Sequence, residues 1–159
     1  MSELHIRPAR ADDARLILGF ITELAIYERA EHEVVATVDD IAEALLGNGP
    51  SHALIASVDG HAVGFALYFF SYSTWLGKPG LYLEDLYVSP QHRGSGAGKA
   101  MLKYLARLAC ERQCGRFEWS VLDWNEPAIG FYQSIGAAPQ SEWVRYRLAG
   151  EQLRAFAEA

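Results

Sequence analysis

The apolar and polar positions of this chain alternate between two periods, one typical of helices and one typical of strands. Apolar residues recur every three or four positions in five segments, which predicts amphipathic helices over residues 12–28, 39–46, 97–112, 127–135 and 151–158. Short apolar or alternating runs predict strands over residues 5–8, 53–58, 62–72, 81–88, 117–122 and 143–148. The dipeptide Asp59-Gly60 predicts a tight hairpin between the second and third of these strands.

The order of these elements is β-α-α-β-β-β-α-β-α-β-α. Hairpin strands come first and βαβ crossovers come later, which predicts an α/β fold with a mixed sheet and helices on both faces. The chain contains no repeat, low-complexity tract or linker. We therefore predict one domain over residues 1–159.

Composition and charge exclude several classes of function. The net charge of −6 argues against general nucleic-acid binding, which needs a basic surface. No apolar run approaches the roughly 18 residues of a membrane span, and the N-terminus lacks a secretory signal, so we expect a cytoplasmic protein. Cys110 and Cys114 are four residues apart, a poor frame for a disulfide, and no ligand spacing predicts a metal.

A glycine-rich turn separates the predicted strand 81–88 from the predicted helix 97–112. It reads Arg93-Gly94-Ser95-Gly96-Ala97-Gly98. Glycine permits positive φ and a close approach of the backbone, and the free N–H groups at the helix start can bind an anion. A Walker A loop would need Ser or Thr where Ala100 stands, and a dinucleotide fingerprint would need a different glycine spacing. The remaining pattern is Arg-x-x-Gly-x-Gly.

This pattern and five other blocks resemble the GNAT family of N-acetyltransferases, in particular its spermidine/spermine and thialysine acetyltransferase branch. The resemblance runs in order from about residue 6 to residue 148. The blocks are Arg7-Pro8-Ala9, Glu23-Leu24-Ala25-x-Tyr27-Glu28, Tyr82-Leu83-Glu84-Asp85-Leu86-Tyr87-Val88, the Arg93 to Gly98 loop, Trp124-Asn125-Glu126-Pro127, and Phe131-Tyr132 followed by Gly136-Ala137.

The resemblance implies a mostly antiparallel GNAT sheet, acetyl-coenzyme A as cosubstrate, no metal, and a homodimer with a pocket shared across the interface. It implies that backbone N–H groups of the central strand, beside a bulge, bind the acyl oxygen. The residues that it implies for cofactor binding are Leu86, Tyr87, Val88, Arg93, Gly94, Ser95, Gly96, Ala97, Gly98, Lys99, Asn125, Pro127, Ala128 and Tyr132.

Acetyl transfer to an amine needs a neutral nitrogen, and an ammonium group with a pKa near 10 needs a base to deprotonate it. Strand alternation predicts Tyr82, Glu84, Leu86 and Val88 on one face, and Leu83, Asp85 and Tyr87 on the other. We expect burial among apolar neighbours to raise the pKa of Glu84. The family uses a glutamate here as base, acting through water. The alternative is a Glu paired with an internal donor. Asp85 either contacts the substrate ammonium or makes a structural pair.

Tyr132 is the candidate general acid. Coenzyme A leaves as a thiolate, and a phenol can donate a proton to its sulfur, which is the role that the family gives to the tyrosine of this Phe-Tyr motif. The alternative is an ordinary half-buried aromatic beside Ile129 and Phe131. Asn125 either caps the helix or contacts the cofactor, and both roles are compatible.

The candidate amine pocket combines carboxylates for ammonium charge with aromatics for cation–π contact. Its residues are Tyr27, Glu28, Trp75, Glu84 and Asp85, and each has an ordinary structural alternative. The segment Tyr72-Ser73-Thr74-Trp75 lacks the acid and proline that the polyamine enzymes carry before the tryptophan. This segment, together with Val121-Leu122-Asp123-Trp124-Asn125, looks more like the branch that acetylates thialysine. The resemblance therefore implies a small thialysine- or lysine-like substrate, with polyamines as the second candidate and a non-catalytic acyl-coenzyme A sensor as the third.

Overall fold

The computed structural model describes residues 3–159, which fall into two compact units. The first unit ends at Ser120 and the second comprises Val121–Ala159. The prediction of a single domain over residues 1–159 stays a prediction. None of the helices in the described residues is long and apolar enough to cross a membrane.

The first unit is a five-stranded sheet with three helices. The strands are β1 (Leu4–Pro8), β2 (His52–Val58), β3 (His61–Ser73), β4 (Lys78–Val88) and β5 (Arg116–Trp119), and the helices are α1 (Ala14–Tyr27), α2 (Val38–Ala44) and α3 (Ala97–Glu111). The strands lie in the order β1-β2-β3-β4-β5. The first three pairings are antiparallel, and β4 pairs with β5 in parallel across the α3 crossover. The predicted mixed, mostly antiparallel sheet is confirmed.

Helices cover both faces of this sheet, as predicted. Phe20 of α1 stacks on Phe65 of β3 at a ring distance of 5.9 Å and contacts Tyr87 of β4 at 6.0 Å. These residues belong to an apolar cluster on the α1 face. On the other face, Gly98 of α3 lies so near the Val88 side chain that an added Cβ would approach it to 3.8 Å. The side chains of Tyr87 and Val88 therefore point to opposite faces.

The pairing of β3 with β4 contains a bulge at Glu84. Leu67 pairs with Asp85, whereas the next residue, Tyr68, pairs with Leu83, so Glu84 has no partner. An unpartnered extra residue interrupts the alternation of side chains and bends the strand. The predicted assignment of side chains to the two faces of β4 is therefore wrong for the residues before the bulge. Tyr82 was expected on the same face as Leu86 and Val88. It instead pairs with Phe69, which shares a face of β3 with Leu67, the partner of Asp85, and it contacts the Phe69 ring at 5.2 Å.

The second unit contains α4 (Glu126–Ser134) and α5 (Gly150–Glu158), both close to the predicted helices. The predicted strand over residues 143–148 is wrong, because this segment forms no regular secondary structure. An alternating apolar pattern becomes a strand only where a second strand completes its hydrogen bonds, and none pairs with it in residues 3–159. The predicted strand 117–122 likewise ends early, at Trp119.

Candidate active site

Three carboxylates meet where the bulge of β4 faces the end of α1. Burial, together with the charges of Glu84 and Glu28, raises the pKa of Asp85 to about 7. Burial also raises the pKa of Glu28, which follows the last residue of α1. A carboxyl group that titrates near neutral pH can both accept and release a proton under ordinary conditions. This cluster is the strongest candidate for proton chemistry in the first unit.

Asp85, and not Glu84, is the more buried of the two adjacent carboxylates. We expected apolar neighbours to bury Glu84 and raise its pKa, but its side chain is exposed whereas that of Asp85 is half-buried. The bulge explains the error. Glu84 is the inserted residue without a partner, and Asp85 takes the inward position opposite Leu67. Neither carboxylate forms an ion pair with the protein in residues 3–159, so the internal-pair alternative gains no support there.

The bulge also divides β4 into two halves with different pairing. Residues 80–83, the paired half, bond to β3 on one edge and to β5 on the other. In residues 84–88, the open half, the residues after Glu84 pair with β3, but the pairing of β4 with β5 ends at Leu83. Apart from the Val88 carbonyl, which accepts a hydrogen bond from Arg93, the N–H and C=O groups that point to that edge are therefore available to a ligand with amide groups of its own. Leu86, Tyr87 and Val88, predicted to contact the acyl group, lie in the open half.

The glycine loop has the backbone that its sequence predicts. Gly94 and Gly96 adopt left-handed conformations, with φ of 88° and 87°, and an added Cβ at either position would meet no atom within 4 Å. The first backbone bond of α3 runs from the Ala100 N–H to the Gly96 carbonyl, so the N–H groups of Gly98 and Lys99 precede it. The loop is thus open, unobstructed and lined with donors, which fits a diphosphate.

The side chain of Arg93 extends away from the glycine loop and contacts α1 and β4. Its guanidinium carbon lies 5.1 Å from the ring centre of Tyr27 and 5.9 Å from that of Tyr87, and its Nε donates to the Val88 carbonyl at 3.3 Å. The Tyr87 hydroxyl in turn donates to Glu23 of α1 at 2.9 Å. Sequence reasoning missed this link between loop and helix, although the four-residue spacing of Glu23 and Tyr27 puts both on one helix face.

Trp75 lies apart from the rest of the predicted amine pocket. It occupies the turn between β3 and β4 and is 78% exposed. The eight residues from Lys78 to Asp85 extend roughly 20 Å along the strand. Within one chain, the first unit brings together Tyr27, Glu28, Glu84 and Asp85 but not Trp75.

The second unit holds Tyr132 and the other predicted residues around α4. Tyr132 lies in the last turns of the helix, with its ring centre 6.0 Å from that of Phe131. Asn125 occupies the N-cap position, yet its side chain makes no capping hydrogen bond. Pro127 and Ala128 lie in the first turn. The capping alternative for Asn125 is therefore not supported.

Comparisons with known proteins identify the family of this chain. The sequence model of the acetyltransferase (GNAT) family matches residues 17–137. This chain belongs to the GNAT acetyltransferase family. It is accordingly an acyltransferase, and the resemblance noted in its sequence is confirmed.

Individual relatives narrow the branch of the GNAT family. A thialysine N-epsilon-acetyltransferase of Mus musculus is 37% identical, with 99% of each chain covered. A spermidine/spermine N(1)-acetyltransferase-like protein 1 of Homo sapiens is also 37% identical, over 96% of this chain and 24% of the relative. Among solved structures, an integron cassette protein from the mobile metagenome of V. cholerae has a TM-score of 0.82 and 27% identity, with 98% of each chain covered.

No group of three or more His, Cys, Asp or Glu side chains within residues 3–159 is arranged to hold a metal ion. Cys110 and Cys114 are both free thiols.

Proposed function

We propose that this protein transfers the acetyl group of acetyl-coenzyme A to the primary amine of a small cationic amino acid of the thialysine or lysine type. The observation that carries the proposal is the carboxylate cluster at the bulge, beside the open half of β4. Relatives named as thialysine acetyltransferases match this chain over nearly its full length, which supports the choice of substrate.

Acetyl-coenzyme A supplies the activated acetyl group. Backbone N–H groups from Gly94 to Lys99 bind its diphosphate, and the open edge of residues 84–88 pairs with the amides of its pantetheine arm. Those backbone N–H groups of Leu86 to Val88 that face the open edge stabilise the negative charge that develops on the acyl oxygen. Asn125, Pro127 and Ala128 complete the cofactor contacts.

The carboxylates remove the proton from the substrate ammonium group. Glu84 is the exposed member and acts through water, whereas Asp85 is the member whose pKa, about 7, matches the task. Glu28 and Tyr27 hold the cationic end of the substrate by charge and by cation–π contact. The neutral amine then attacks the acetyl carbon directly while both substrates are bound.

Tyr132 donates a proton to the departing sulfur of coenzyme A. Its phenol is a competent donor to a thiolate, and its position in the Phe131-Tyr132 motif is the one that the family resemblance assigns to the acid.

Trp75 contributes to the pocket of a second copy of the chain in a homodimer, since its turn lies far along β4 from Asp85. We also propose a cytoplasmic location.

Polyamines are the second candidate substrates, favoured by the relative named as a spermidine/spermine acetyltransferase-like protein. The lack of an acid beside Ser73 weighs against them, because a distal ammonium group would find no counter-charge at that position.

A panel of amines tests the proposal. The protein is mixed with acetyl-coenzyme A and thialysine, lysine, spermidine, spermine or a short diamine, and the released thiol is measured. We expect the highest kcat/KM with thialysine. A preference for spermidine would transfer the assignment to the polyamines, and coenzyme A binding without turnover on any amine would identify a sensor.

A further inference from the structure

The last two turns of α1 carry residues of the candidate site but bury little apolar surface. Tyr27 is the last residue of the helix, and Glu28 follows it. The large side chain of Phe20 is buried, whereas among residues 21–27 only the small Ala25 is buried, and Tyr27 is 38% exposed. Apolar burial therefore decreases towards the end of the helix that lies at the carboxylate cluster.

A hydrogen bond links this end of α1 to β4. The Tyr87 hydroxyl donates to the Glu23 carboxylate at 2.9 Å. The Tyr87 residue is 5% exposed, and its ring contacts that of Phe20 at 6.0 Å. Phe20, Glu23 and Tyr27 are three and four residues apart, so they lie on one face of the helix. Burial, and then the bond to Glu23, raise the pKa of the Tyr87 phenol, which therefore keeps its proton and remains the donor at neutral pH.

Both partners of this hydrogen bond are close in sequence to the carboxylate cluster. Asp85 and Tyr87 both pair with β3 after the bulge, where side chains alternate regularly, so they point to the same face. Two charged groups act on Asp85, namely Glu84 from its own strand and Glu28 from the end of α1, whereas β3 presents the apolar Leu67 as its partner. The position of the α1 end therefore determines how strongly Glu28 acts on Asp85.

We propose that Glu23 is a positioning residue that, by accepting the Tyr87 hydroxyl, fixes the last two turns of α1 against the open half of β4. Glu23 acts through Tyr87 and sets the distance from Glu28 to Asp85. This assignment rests on the proposed acetyl transfer at the carboxylate cluster and deepens it. Without the hydrogen bond, the end of α1 should move away from β4, and ionised Asp85 should experience less repulsion.

The test reads the ionisation of Asp85 directly. A ¹³C NMR titration of its side-chain carboxyl, assigned with Asp85→Asn, gives the midpoint without any need for catalysis. The wild-type midpoint should be about 7. Glu23→Ala and Tyr87→Phe should each lower it by roughly half a pH unit, the effect of moving two like charges partly apart near a protein surface. The bend in the pH profile of kcat/KM should move in the same direction.

Two single variants separate the hydrogen bond from the charge of Glu23. Glu23→Gln removes the charge but keeps an oxygen that can accept the Tyr87 proton, so its midpoint should stay near that of the wild type. Glu31→Ala removes an exposed carboxylate outside the cluster and should also leave the midpoint unchanged.

A double-mutant cycle tests the link to Glu28. Glu28→Gln should lower the midpoint of Asp85 by removing the charge that Glu23 positions. Adding Glu23→Ala to Glu28→Gln should then have little further effect, because the two changes act through the same interaction.

Three results would overturn the proposal. Glu23→Ala could leave the midpoint of Asp85 unchanged. Glu23→Gln could lower it as far as Glu23→Ala, which would assign the effect to charge alone. Glu23→Ala could have its full effect in the Glu28→Gln background. If Tyr87→Phe does not fold, the Glu23 variants decide, since they alter an exposed side chain. Failure of the proposed function is distinct, because the wild type would then acetylate no amine while the titration still reports on Glu23.

Discussion

The two halves of β4 belong to one strand but have opposite chemical character. The paired half, residues 80–83, bonds to strands on both edges, and its Leu81 and Leu83 are 1% and 3% exposed. The open half, residues 84–88, has a strand on one edge only and contains the two carboxylates. Where the strand is hydrogen-bonded on both edges, its side chains build the core. Where it is hydrogen-bonded on one edge only, backbone donors and polar side chains remain for a ligand. The inserted residue Glu84 forms the boundary.

The largest effect should come from outside β4. Tyr132→Phe removes only the phenolic oxygen, and loss of a general acid lowers kcat by about 100- to 10,000-fold. The KM for acetyl-coenzyme A should change little. Tyr146→Phe is the matched control, because Tyr146 is 94% exposed in the same unit. An unchanged kcat for Tyr132→Phe in steady-state kinetics would show that the tyrosine takes no part in proton transfer, and only the residues of the open half would remain as candidates for it.

A core substitution tests the structural role of the paired half. Leu81→Ala should lower the free energy of unfolding by about 2–5 kcal/mol, since it leaves a cavity in a fully buried site. Urea denaturation measures this loss. The kcat of the folded fraction should stay near that of the wild type, and a selective loss of kcat would argue that the paired half takes part in the reaction.

The glycine loop next to the open half can be tested separately. Gly96→Val places a β-branched residue at a φ of 87°, a strained conformation even though the space is free. We expect the loop to rearrange and the Kd for coenzyme A, measured by calorimetry, to rise roughly tenfold, the equivalent of about 1–2 kcal/mol of strain. Gly47→Val is the control, because that position is equally unobstructed and lacks a positive φ. Equal affinities in both variants would contradict the role of the loop.

The smallest effect should be a gain in stability. The pKa of Asp85 is raised in the folded protein, so its ionisation opposes folding and stability falls as the pH rises towards about 7. Asp85→Asn abolishes this loss. Its Tm should exceed that of the wild type at pH 8, by roughly 2–4 °C for each kcal/mol, and the difference should shrink at pH 5. A difference independent of pH would mean that ionisation of Asp85 does not oppose folding.

The sequence predicts the regular parts of the fold well and the site incompletely, for physical reasons. Helical periodicity locates α1 and α3 because their apolar stripes face a sheet, and Asp59-Gly60 locates the β2–β3 hairpin because few residues fit that turn. The bulge at Glu84 has no such signal, since one inserted residue leaves the apolar pattern unchanged on either side. The sequence therefore predicts a buried Glu84, whereas the structure buries Asp85 more deeply.

Contacts between residues far apart in the chain are the other feature that the sequence does not predict. The stack of Arg93 on Tyr27 joins residues far apart in sequence, and neither local spacing nor composition encodes it. The apolar alternation at residues 143–148 similarly predicts a strand without indicating whether a partner strand exists.

The pH dependence of kcat/KM with thialysine tests most directly whether the open half of β4 performs the proton chemistry. A base with a pKa of about 7 must be ionised to act, so wild-type kcat/KM should rise with pH and bend at about pH 7. Asp85→Asn should lower the rate and abolish that bend. A bend at the same pH in Asp85→Asn would show that another group accepts the proton and would contradict the account.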